Sequence, residues 1–176
     1  MKKPTEAEVD YVIWQNRAFR FYLAARLSSR QGLSAPAAFL ATQVLELLLK
    51  ATLIFWDKTF KPEAAGHAIA KLMRCVRNKV SGARHFNIPQ YFFHERRYQT
   101  ISRYPSGSKG LFVPGSLLND LDALFVSLVR FVPFQHNTEL KRAMAGHDMK
   151  ALAILRRGNA SMRSLRKVLR VRAPQR

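Results

Sequence analysis

Glu46 and Lys50 stand four residues apart in an otherwise apolar run, a spacing that stacks a carboxylate and an ammonium on one face of a helix. Two roles are open to them: an ion pair at the edge of the core, or, with Gln43, a line of polar groups facing a cleft. His67 follows Gly66 where the next helical pattern opens. An imidazole exchanges protons near neutral pH, so His67 either bonds nearby backbone or borders the Glu46 and Lys50 cleft. Lys71 and Arg74 continue a basic face from His67, and a second basic set, Arg163, Arg166, Lys167 and Arg170, lies near the end of the chain. Cations in this number suit contact with phosphate groups. Metal chemistry is not expected, because the five histidines include no pair at i and i+4, no carboxylates cluster, and Cys75 is the single cysteine. No glycine-rich phosphate loop or nucleophile elbow is present, and no cofactor is expected.

The charge balance points the same way. Thirty Lys and Arg against 11 Asp and Glu give a formal net charge of +19 over 176 residues, which favours polyanionic partners, nucleic acid first. Residues 1–135 hold 19 basic and 9 acidic side chains, a balance of +10; residues 136–176 hold 11 and 2, a balance of +9. Less than a quarter of the chain therefore carries almost half of the excess. A hydrophobic fraction of 48% rules out a disordered polyelectrolyte and allows one packed domain. The division expected is a helical bundle over 1–135 and a basic helical extension over 136–176. A single cysteine and acidic residues at Glu6, Glu8 and Asp10, where an export signal would be apolar, fit a cytoplasmic location. No membrane association is expected, since Gln43, Glu46 and Lys50 interrupt the apolar stretch from Phe39 to Trp56.

The elements that must position these groups read as all-α, because helical periodicity dominates and alternating patterns are scarce. A first helix is predicted from Thr5, in a capping box with Glu8, to about Arg30, with Tyr11, Trp14, Ala18, Phe21 and Ala25 inward and Arg17, Arg20, Arg26 and Arg30 reaching water. The second helix, capped by Ser34, is apolar on most of its circumference and should be central. A third runs from about Ala64 to Val80 on Ile69, Leu72, Met73, Val76 and Val80, and a short one is placed between Gln90 and Ile101. Ser116 caps a fourth, with Leu117, Leu121, Leu124, Leu128 and Phe131 inward. Two shorter basic helices are predicted over Asn137 to Arg157 and Ser161 to Arg172. Together these make an antiparallel bundle of four or five helices with a basic helical extension.

Several segments in order resemble the HEPN domains (higher eukaryotes and prokaryotes nucleotide-binding): a long first helix, Leu45-Glu46-Leu47-Leu48-Leu49-Lys50-Ala51 in the second, Gly66-His67 opening the third with Leu72 behind it, and Ile101-Ser102-Arg103-Tyr104-Pro105. The resemblance spans roughly Ala18 to Pro133. It implies a bundle whose polar cleft binds nucleotides or RNA, often as a homodimer, and in bacteria often beside a nucleotidyltransferase-type partner. It places Arg103 and Tyr104 next to Glu46, Lys50 and His67. Many members are metal-independent ribonucleases that use an Arg followed after four to six residues by a His. Arg130 with His136, and Arg142 with His147, have that spacing, in which the Arg would stabilise phosphate charge and the His transfer a proton.

Three functions follow from these readings. The first is a binding module that engages RNA or a nucleotide through a basic cleft and a basic C-terminal arm. The second is a metal-independent ribonuclease, the toxin of a toxin-antitoxin pair. The third is a non-enzymatic subunit that docks on an acidic partner. Large apolar residues on the first and fourth helices, including Trp14, Phe19, Phe21, Phe125 and Phe131, further suggest self-association.

Overall fold

The computed structural model describes residues 6–94, 98, 113–135 and 137–169, with side chains described from residue 11 onwards. It is all-α, with no strand among the described residues: α1 (Glu6–Arg30), α2 (Ser34–Trp56), α3 (Ile69–Lys79), α4 (Leu117–Val129), α5 (Glu139–Met144), α6 (Met149–Arg156) and α7 (Met162–Leu169). Short 3₁₀ turns at Ser81–Ala83 and Gln90–Phe93 follow α3. The predicted capping box at Thr5 lies outside the described residues.

α2 is central because nearly every face of it is apolar. Val44, Leu45, Leu48 and Leu49 are fully covered, and its two buried threonines return their hydroxyls to their own helix, Thr42 to the Phe39 carbonyl at 2.7 Å and Thr52 to that of Leu48 at 2.8 Å. By length and composition α2 could cross a membrane, with a mean hydropathy of 1.7 over its most apolar 18 residues, yet 78% of that window is buried within the bundle. α1 packs along α2, while α3 and α4 cover other sides of it. Neither expected serine cap forms. Ser34 is the first helical residue and Ser116 is helical in conformation, and neither side chain bonds a helix-terminal N–H.

The inward face of α1 differs in phase from the prediction. Tyr11, Gln15, Ala18, Tyr22 and Ala25 are buried at alternating four- and three-residue steps, with Phe19 and Arg26 beside them, while Trp14 and Phe21 are half-buried. Phe19 and Phe125 lie in the core, so less apolar surface is left over than the composition suggests; among the described residues Ile13, Leu27, Leu33, Trp56 and Met149 are the large apolar ones that remain exposed.

Arg26, predicted to reach water, is buried outright. Its guanidinium pairs with the Asp122 carboxylate of α4, donates from Nε to the Ile154 carbonyl at 3.2 Å, and from Nη2 to the Arg157 carbonyl at 2.8 Å. The Tyr22 hydroxyl donates to Asp122 at 2.6 Å and accepts from Asn159 Nδ2 at 3.1 Å, and its ring stacks on Phe125 with centroids 4.0 Å apart. Burial drives the Tyr22 phenol well above its ordinary range, so it stays a donor. Through this network α1 and α4 grip the chain between α6 and α7.

The last three helices share the core. Leu140, Met144, Leu152, Leu155, Leu165 and Leu169 are buried in the same apolar cluster as α1, α2 and α4. The single helix predicted over Asn137 to Arg157 is two, because Gly146 takes a φ of +90° that no helix contains, and Asp148 then caps α6 by accepting from Ala151 N at 2.9 Å. α3 likewise starts at Ile69 rather than Ala64, since Gly66, with φ +71°, turns the chain just before it. Of the short helix placed between Gln90 and Ile101, the turn Gln90–Phe93 and a buried, helical Tyr98 are described.

Candidate nucleotide-binding and proton-transfer sites

Three of the expected cleft residues meet. Lys50 Nζ donates to Glu46 Oε1 at 2.9 Å, one helical turn away on α2, and His67 Nδ1 donates to the same oxygen at 2.9 Å. The carboxylate and the ammonium are buried, with side chains 5% and 4% exposed, whereas the His67 ring is 81% exposed. The Lys50 ammonium also lies over the Trp14 ring, 5.3 Å from its centroid, so this buried cation has an anion on one side and a π face on another. The positive-φ turn at Gly66 folds His67 back onto α2. With Nδ1 engaged by Glu46, the neutral ring presents Nε2 to solvent as a proton acceptor, and the protonated ring presents it as a donor. Glu46 thus fixes the orientation of the ring and leaves Nε2 facing solvent. Lys71 and Arg74 are exposed on α3. Arg103 and Tyr104, expected beside this cluster, lie outside the described residues.

The two Arg–His pairs stand differently. His136 lies outside the described residues, and Arg130 is exposed at the C-terminal end of α4. Arg142 and His147 are both exposed, and their spacing has a backbone cause. His147 N donates to the Arg142 carbonyl at 2.9 Å and Gly146 N to that of Ala143 at 3.0 Å, the paired bonds that close a helix around a left-handed glycine. His147 is held there through its main chain.

A second site was not legible as a unit. The C-terminal end of α2, the segment from Val129 to Phe134, α5 and α7 enclose a cleft of about 670 Å³. Phe55, Trp56 and Val168 give it apolar walls, and Arg130, Lys141 and Lys167 bring three cations to it. Trp56 is 51% exposed, yet fixed: its Nε1 donates to the Phe131 carbonyl at 2.6 Å and Phe55 meets it edge-on, 5.4 Å between centroids. Partial burial lowers the Lys141 pKa below that of a free lysine, and none of the three cations has a carboxylate partner among the described residues. Sequence had marked Arg130 for its distance from a histidine and Lys167 for its helix face. The signal that joins them is tertiary.

Of the other C-terminal cations, Arg163 is exposed, Arg166 is half-buried with its Nε unpaired, and Arg170 lies outside the described residues. No group of three or more potential metal ligands occurs among the described residues.

The described residues thus form a helical bundle in which a buried carboxylate on the central helix holds a solvent-facing histidine. The model of the HEPN domain family matches residues 11–116, more than half of the 176, and the chain belongs to that family, helical modules of nucleotide-binding or ribonuclease type. No curated protein and no solved structure matches it. The match contains the Glu46, Lys50 and His67 cluster and ends before α4. Arg130, Lys141, Lys167 and the other C-terminal cations lie beyond it.

Proposed function

We propose that this protein is an RNA- or nucleotide-binding HEPN module whose C-terminal helices form a rigid phosphate-contacting arm. One observation carries the reading: α5, α6 and α7 bury their leucines in the bundle core while Arg142, Lys150, Arg156 and Arg163 stand exposed without carboxylate partners among the described residues. Cations fixed on packed helices meet a polyanion without an ordering cost, and such contacts fix a nucleic acid's position without reading its sequence. Titration of short RNA from low to moderate salt should show a steep loss of affinity. The Arg142→Ala, Arg156→Ala, Arg163→Ala triple variant should flatten the log–log slope by about 2. A triple variant with unchanged affinity and slope removes the arm from RNA binding.

A second reading, the metal-independent ribonuclease, is favoured by the Glu46–His67 pair, which offers a proton-transfer group at the surface. Cleavage of labelled RNA in EDTA that is lost in His67→Ala, while His147→Ala cleaves like wild type, would place the chemistry there. Cleavage indifferent to His67 and lost in His136→Ala would return it to the Arg130 pair. A cytoplasmic location, a homodimer and a nucleotidyltransferase-type partner fit the same reading. Light scattering at micromolar concentration checks the dimer, and a monomeric mass excludes it.

A further inference from the structure

We infer that the cleft between the end of α2, the 129–134 segment and α7 is a separate binding site for a terminal nucleoside phosphate, with the base on the Trp56 ring and the phosphate among Arg130, Lys141 and Lys167. Four features of the cleft specify that chemistry. It is a concavity of about 670 Å³, within the range of small-ligand sites. Among its lining is a half-exposed indole held by a hydrogen bond to the Phe131 carbonyl, a preformed stacking platform of the kind every base can use. Its three cations come from three separate elements, α4's end, α5 and α7, so the fold rather than one helix face brings them to the same cleft. Lys141 is partly dehydrated with no counter-charge among the described residues, a cost that an incoming anion offsets. A purely apolar ligand would leave those cations unpaired, and inorganic phosphate would leave the Trp56 and Phe55 wall wet.

The site is not supplied by the family match, since of the residues just named only Phe55 and Trp56 fall within residues 11–116. The proposal takes its class of ligand from the RNA- or nucleotide-binding reading; Lys141 and Lys167 sit on the arm's helices α5 and α7, but the cleft does not use Arg142, Arg156 or Arg163. The terminal nucleoside phosphate has two sources, a free mononucleotide or the 5′ end of an RNA strand.

The test uses the full-length protein and tryptophan fluorescence, with adenosine 5′-monophosphate as the probe. Titration should quench emission in wild type and in Trp14→Phe, and the change should vanish in Trp56→Phe. Lys141→Ala should weaken binding about tenfold or more, the loss of one charge-assisted contact. Adenosine alone and inorganic phosphate alone should each bind more weakly than the nucleotide by a similar factor. Should Trp56→Phe lower the thermal midpoint, Lys167→Ala, on the exposed rim, carries the same test. If a strand end is the natural source, a 5′-phosphorylated RNA dodecamer binds more tightly than its 5′-hydroxyl twin and the mononucleotide displaces it. If a free nucleotide is the source, the two dodecamers bind alike. Absence of any Trp56-dependent signal with both probes, or Lys141→Ala and Lys167→Ala binding like wild type, overturns the site. Failure here with salt-dependent RNA binding through Arg142, Arg156 and Arg163 leaves the arm standing. Nucleotide binding in the cleft with no contribution from those arginines leaves the cleft standing and refutes the arm.

Discussion

Asp122→Ala should carry a large stability cost, because its partner is a fully buried cation. In the folded protein Arg26 has no exposed side-chain surface and Asp122 has 2%, so the guanidinium left behind would keep only the Ile154 and Arg157 carbonyls. Removing one partner of a buried ion pair strands a desolvated charge, which costs about 3–5 kcal/mol. The Tyr22 hydroxyl loses its acceptor too, although Asn159 still donates to it. For a chain of this size about 2–4 °C accompanies each kcal/mol, so the midpoint should fall by about 6–20 °C in circular-dichroism melts. Arg26→Met should cost a similar amount by stranding the carboxylate. The double variant Arg26→Met, Asp122→Leu restores charge balance and apolar packing, and should be no less stable than either single, a coupling of at least about 3 kcal/mol. Single variants that melt within 2 °C of wild type, or a double variant whose loss is the sum of the two, would refute the claim that this pair is desolvated and coupled.

Three other outcomes are expected. Leu48→Ala and Leu72→Ala, at residues 0% and 1% exposed, should each cost about 2–5 kcal/mol in urea titrations, and midpoints unmoved would show the buried faces of α2 and α3 to be misplaced. Gly146→Ala should cost about 1–2 kcal/mol from its φ of +90° alone, because open space surrounds the position, whereas His147→Ala should leave stability unchanged since His147 contributes a main-chain bond; equal losses would contradict this account of the turn. Asp57 accepts from Thr59 and pairs with Lys79 at 3.0 Å, which holds its carboxyl at about 2, below the ordinary 3.8. Its ionised form therefore favours the fold above pH 3.8, and that contribution is lost as pH falls from 3.8 to about 2. Wild type should lose more thermal stability than Asp57→Asn over that window, and parallel pH curves would show Asp57 to be uncoupled from folding.

What sequence made legible follows from how far each interaction reaches along the chain. α2 was legible because an apolar circumference needs no knowledge of neighbours, and α7 because Leu165 and Leu169 alternate with basic residues at helical spacing. Glu46 and Lys50 were legible as an i, i+4 pair, and the structure buries that ion pair, with the carboxylate also bonded to His67. The phase of α1 was misread because Trp14 and Phe21 were weighted for size, while the packed stripe admits Gln15, whose amide donates to the Pro133 carbonyl at 3.1 Å. Arg26 was misread because its partners lie 96 to 131 positions away. A signal did exist on α4, where Asp122 shares a face with Phe125 and Val129, and an acid inside an apolar stripe asks for a cation.

The same long-range pair explains why the cleft could not be read and why it is built as it is. Arg130, Lys141, Lys167 and Trp56 come from separate elements, and no periodicity relates them. They are brought together because α7 is seated against α4 by Leu165 and Leu169, and because Arg26 and Tyr22 hold Ile154, Arg157 and Asn159 in the connection leading to it. A buried ion pair adds little net stability compared with well-packed apolar residues, and here its guanidinium also bonds the Ile154 and Arg157 carbonyls, which ties α1 to α6 and the turn after it. Loosening it would cost the bundle some stability. Its further effect would fall on how the last helices sit against the bundle, and so on the spacing of the cations that the proposed cleft brings together.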